Sequence, residues 1–124
     1  MFMPTIKVGT NTRVNGAAIA SFLAKYPKVP VFLELVGAMP GQGTAAMFTF
    51  GHAAGLVQGV VVGAGNPLTL VTPQKWKKAA GLRGTEKDGA RSKAALLWPH
   101  WRDLDAKGKG QALADAALIA RYGG

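Results

Sequence analysis

A chain of 124 residues is long enough to bury a core and reads as one domain, and the absence of cysteine excludes a disulfide framework and thiolate metal sites. Lys and Arg number 15 against 6 Asp and Glu, a formal charge of +9 that favours polyanionic partners, nucleic acid ahead of an anionic membrane surface. No basic segment leading into an apolar one opens the chain, so a cytoplasmic protein without a secretory signal is expected.

Met1 to Thr12 reads as the tail of a strand followed by a loop, punctuated by Pro4 and Gly9. Asn15 then caps a predicted helix from Gly16 to Tyr26. Within it Ile19, Phe22, Leu23 and Tyr26 recur at i, i+3, i+4 and i+7 and form one apolar face. Pro27 and Pro30 frame the link to a short apolar run, Val31 to Val36, with the composition of a buried strand. Glu34 lies inside that run. An ionised carboxylate in a buried strand requires a cation, a metal or a raised pKa, unless its head turns to solvent at the strand end.

A Pro-Gly-Gln-Gly loop, Pro40 to Gly43, leads into Thr44 to Ala64, a segment without a formal charge. Gly51, Gly55, Gly59 and Gly63 recur there every four residues and would line one smooth helical stripe. Two readings compete: a membrane span, or a central helix buried in a soluble fold or by a dimer partner. His52 and Gln58 inside the segment, and a strand pattern on each side, favour the soluble reading. His52 itself reads as a packed or hydrogen-bonded helix residue rather than a catalytic base, since no partner stands beside it.

Asn66-Pro67 introduces a second strand, Leu68 to Val71. Thr72 caps the next helix, with Pro73 at its first position and Gly81 closing it. Thr85 to Asp88 has the spacing of a capping box ahead of a helix reaching Trp98, which Pro99 ends. Between Lys75 and Lys93 stand seven basic residues (Lys75, Lys77, Lys78, Arg83, Lys87, Arg91 and Lys93) against two acidic ones, and they surround Trp76. Basic side chains neutralise phosphates and an exposed aromatic stacks on bases, which makes the cluster a candidate nucleic-acid surface. The alternative is a solvated helix face with Trp76 turned into the core.

Arg102 to Gly110 reads as a polar link, and Gln111 to Tyr122 as an apolar helix. Asp115 shares a face with Leu118, Ile119 and Tyr122, a second carboxylate among core positions. Glu34 and Asp115 can share a divalent cation of the Mg²⁺ kind, which takes oxygen ligands and often only one or two carboxylates.

The segments ELVGAMPGQGTAAMFTFGHAAGLVQGV, TLVTPQKWKKAAGL, KDGARSKAALLWP and ADAALIARYG follow in an order that resembles the RuvC-type Holliday junction resolvases. The resemblance is greatest to their short phage-encoded branch, which MPTIKVG near the start also matches. It spans nearly the whole chain. It implies an α/β, ribonuclease H-like fold with a five-stranded mixed sheet flanked by helices. It also implies a homodimer, and cleavage of branched DNA with Mg²⁺ or Mn²⁺. Glu34 falls on the family's fourth-strand Glu and Asp115 on its last-helix acid, so both are expected catalytic and metal-binding residues. The glycine-striped segment falls on the dimer-interface helix, which makes a membrane unnecessary. Lys75, Trp76, Lys77, Lys78, Arg83, Lys87, Arg91 and Lys93 would face DNA.

The chain also departs from the family pattern. No Asp or Glu precedes Glu34, so the first-strand Asp has no counterpart and the chain reads as truncated at its N-terminus. Gly110, Gln111 and Ala112 stand where relatives carry a further acid or His, and Gly37 where many carry a His or an aromatic. A weak or inactive nuclease is expected, with a nuclease-dead DNA-binding or assembly protein as the alternative. An unpaired edge at the Glu34 strand predicts an oligomer or a rearranged core, with Met1 to Ile6 pairing across subunits.

Overall fold

The computed structural model describes residues 3–35, 37, 41–82 and 89–124. The chain divides into two compact units, one of Met1–Val31 with Val36–Leu68 and the other of Phe32–Leu35 with Thr69–Gly124.

The first unit opens with an antiparallel hairpin of β1 (Thr5–Val8) and β2 (Asn11–Val14), with Thr5 opposite Val14 and Val8 opposite Asn11. Its two-residue loop starts at Gly9, whose φ of +64° is readily available to glycine. The sequence predicts a strand tail and a loop here; the structure instead pairs β1 with β2 in a hairpin. Every residue of β1 is exposed, so neither strand carries the alternation that marks a half-buried one.

Helix α1 (Gly16–Leu23) is capped as predicted, the Asn15 side chain accepting from the Ala18 amide at 3.1 Å. It stops short of Tyr26 because the Lys25 and Tyr26 amides turn back to the carbonyls of Phe22 and Leu23, tightening the last turn. Ile19 and Leu23 are its buried residues. Helix α2 (Thr44–Gly63) buries Val57 and Val61 and packs against α1, where a side chain at Gly16 would press on Val60 and Leu56. Gly51, Gly55, Gly59 and Gly63 lie exposed, with nothing within 4 Å of where a Cβ would stand. By length and composition alone α2 could cross a membrane. His52 is exposed on this helix beside the ring of Phe48, not packed.

Past α2, the Asn66 amide bonds the Val61 carbonyl, and Gly65 takes a φ of +82°. Asn66 is buried, and its Nδ2 donates to the carbonyls of Tyr26 at 2.9 Å and Val29 at 3.0 Å. One side chain thus fastens the segment after α1 to the turn after α2.

Strands β3 (Val31–Glu34) and β4 (Leu68–Val71) form the second pair. Val31 bonds Pro67 and Leu35 bonds Val71, so both strands advance together and the pair is parallel. Among the described residues the strands pair two and two, and the five-stranded sheet implied by the resemblance is not assembled there.

The second unit continues through α3 (Pro73–Ala79), α4 (Gly89–Leu97), a 3₁₀ turn at Arg102–Asp105 and α5 (Lys107–Tyr122). Thr72 caps α3 through the Lys75 amide at 3.2 Å, with Pro73 at the first turn and Gly81 beyond the end at φ +75°. The predicted capping box at Thr85 to Asp88 lies outside the described residues. Helix α5 starts four residues earlier than predicted, since Gly110 is buried inside it and not in a link. Any side chain at Gly110 would strike the Leu104 backbone, so the glycine permits the 3₁₀ turn to lie against α5. Val71, Trp76, Ala94, Leu104, Ala114 and Leu118 form the centre of the core.

Replacing Asn66 with Ala removes a donor shared by two carbonyls, of which Tyr26 keeps only the longer bond from the Val29 amide, and should lower unfolding stability by about 1–3 kcal/mol. Urea denaturation measures this, and an unchanged midpoint would contradict the fastening role.

Candidate active site

Glu34 ends β3, and its position is set by the indole of Trp76. Trp76 is 1% exposed, and its Nε1 donates to Glu34 Oε1 at 3.0 Å. A buried indole N–H needs an acceptor and a half-buried carboxylate needs a donor, so one bond satisfies both. The short helix α3 makes the meeting possible: the Thr72 cap and Pro73 fix its first turn, and Trp76 points inward from the next.

The even choice between stacking and core roles for Trp76 is therefore decided by burial. Its ring has no open face for a base, and the expectation that it contacts DNA is corrected. Sequence reasoning missed its actual task because the partner lies 42 residues away.

Asp115 sits half-buried on α5, flanked on its own helix by the buried Ala114, Leu118 and Ile119, as the spacing predicts. Burial raises the pKa of its carboxyl above the usual value of 3.8, and the nearby Glu34 charge raises it further. The Lys77 ammonium acts in the opposite sense. Lys77 also lies over the Trp76 ring, 5.6 Å from its centroid. Within the second unit the Trp76 indole thus joins Glu34 and Lys77, and Asp115 lies within reach of both charges.

The donor chemistry suits a hard divalent cation. Both carboxylates offer oxygen, and a cation would offset the burial and the Glu34 charge that together raise Asp115. Among the described residues no group of three or more His, Cys, Asp and Glu comes together. A two-carboxylate site of this kind leaves most of a cation's shell to water, as Mg²⁺ tolerates.

The remaining candidates are spread over two helices. Lys75, Lys77 and Lys78 are exposed on α3; Arg91 and Lys93 are half-buried on α4. Arg91 donates to the Asp105 carbonyl at 3.2 Å. Arg83 and Lys87 lie outside the described residues. Asp105 is bonded to Arg102 at 2.8 Å.

No protein-family model matches the chain, and no curated protein matches it in sequence. Among solved structures, the Thermus thermophilus RuvC structure is similar, with a TM-score of 0.63 and 17% identity. The match covers 98% of this chain and 87% of that one.

The electrostatics of Asp115 give a testable sign. Its folded-state pKa lies above the unfolded one, so its contribution to stability is fully present below about pH 3.8 and is lost as pH rises through the folded value. Asp115→Asn should therefore stabilise the metal-free protein at pH 7, and the gain should vanish below about pH 3.8. Urea midpoints across pH test this, and a loss of stability equal at both ends would contradict the origin given. In its architecture the chain has a RuvC-like α/β fold.

Proposed function

We propose that the protein is a RuvC-like crossover junction endodeoxyribonuclease homologue that hydrolyses phosphodiesters in branched DNA with Mg²⁺ or Mn²⁺. In this reading it is weak or inactive with the carboxylates it carries. One observation supports it above the others: Glu34 and Asp115 act on each other beside Lys77, in a chain whose fold is RuvC-like.

Glu34 and Asp115 are the residues that would hold the cation. Bound there, it would supply Lewis-acid polarisation of a phosphodiester and a lowered pKa for water. The chain's own groups do the rest. Trp76 fixes the orientation of Glu34, so that one carboxylate is preorganised. Protons and a cation compete for the Asp115 carboxylate, whose pKa is raised, so metal affinity rises with pH across that titration. Lys75, Lys77 and Lys78 attract the phosphate backbone from α3, and Arg83, Lys87, Arg91 and Lys93 extend the same surface in this reading. The exposed stripe of Gly51, Gly55, Gly59 and Gly63 is the face for a second copy, giving a homodimer or higher oligomer in the cytoplasm of a bacterial or phage-infected cell and leaving no role for a membrane.

A second reading, a nuclease-dead DNA-binding or assembly protein, is favoured by the lack of a third ligand beside the pair among the described residues. A four-way DNA junction with Mg²⁺ or Mn²⁺ separates the two. The nuclease reading expects salt-sensitive binding and residual cleavage, which Glu34→Gln reduces by about a hundredfold or to background. Binding without cleavage in either metal supports the second, and no binding defeats both.

A further inference from the structure

The second unit carries an aromatic cleft that the two carboxylates do not use. Trp98 follows the last turn of α4, and Trp101 precedes the 3₁₀ turn, with Pro99 and His100 between them. The two indoles meet edge to face, their planes at 87° and their centroids 6.1 Å apart. Both are only half-buried and pack on the core that includes the buried Leu104. They border an open cleft of about 310 Å³ whose rim includes Arg91, Ser92, Pro99 and Asp105. That volume lies at the lower end for a small-ligand site.

Three features narrow the occupant. First, an edge-to-face pair turns two large flat faces in different directions, so a planar ring can lie on one while the edge of the other closes the side. Second, two arginines stand against one carboxylate here: Arg91 lines the cleft and donates to the Asp105 carbonyl, and Arg102, just outside the lining, pairs with the Asp105 carboxylate at 2.8 Å. Third, the Ser92 hydroxyl is exposed at the same rim. A flat surface, a guanidinium and a hydroxyl suit a planar heteroaromatic ring carrying an anion. In a chain of charge +9 that occupant is a nucleotide.

We propose that the Trp98–Trp101 cleft is a subsite for one unpaired nucleotide of DNA, its base stacked on an indole and its phosphate in the field of Arg91 and Arg102. The subsite rests on the nucleic-acid part of the reading above but not on cleavage, and it involves neither Glu34 nor Asp115. Stacking tolerates any base, so the subsite would hold single-stranded DNA without sequence preference. Its signal in the sequence was Trp-Pro-His-Trp, two indoles three positions apart beside an arginine-bearing helix.

The test titrates a short thymidine oligonucleotide into the full chain and reads tryptophan emission, with junction binding followed in parallel. Trp76 is buried and engaged by Glu34, so quenching is expected from Trp98 and Trp101 alone. Quenching should vanish in the Trp98→Phe, Trp101→Phe double variant, which keeps the aromatic packing. Trp101→Leu should weaken oligonucleotide binding about tenfold. Arg102→Gln, an exposed change that leaves the core intact, should weaken it several-fold and reduce its salt dependence. Absence of quenching in the wild type, or wild-type affinity in both Trp101→Leu and Arg102→Gln, overturns the proposal. Junction binding without oligonucleotide quenching defeats this subsite alone. Quenching with no junction cleavage in either metal favours the nuclease-dead reading and leaves the subsite standing.

Discussion

The hydrogen bond from the Trp76 indole to Glu34 is the interaction on which the second unit depends. It resolves two conflicts that neither residue could resolve alone. A wholly buried indole must place its N–H, and a half-buried carboxylate at a strand end needs a donor. Because α3 is short and starts at a fixed cap, little freedom remains in where Trp76 arrives. Glu34 is therefore held by the core itself, and its second oxygen keeps its accepting capacity for other partners.

Asp115 stands in a different condition. Desolvation and the Glu34 charge both disfavour its ionised form, and Lys77 only partly compensates. Such a carboxylate is a poor stabiliser of the fold and a good receiver of positive charge, which is how perturbed groups at functional sites behave.

Elements fixed by local chemistry were legible in the sequence. Asn15 and Thr72 cap where their side chains say they should, Gly81 ends α3, and the uncharged segment is one helix, Thr44–Gly63. Asp115 lies beside Leu118 and Ile119 because helical spacing demands it. What depended on partners far along the chain was not legible. Nothing local in the sequence ties Trp76 to Glu34, or Asn66 to the carbonyls of Tyr26 and Val29. The β1–β2 hairpin escaped because both strands are largely exposed and carry no alternation. Gly110 was read as a linker residue, whereas its lack of a side chain serves close packing against Leu104.

The central claim is that Glu34 and Asp115 form one charge-sharing site, and calorimetric titration of Mg²⁺ or Mn²⁺ into the purified protein tests it most directly. The account predicts saturable binding that strengthens as pH rises through the Asp115 titration and falls at least about tenfold in both Glu34→Gln and Asp115→Asn. No binding by the wild type, or binding that either variant leaves unchanged, would contradict it.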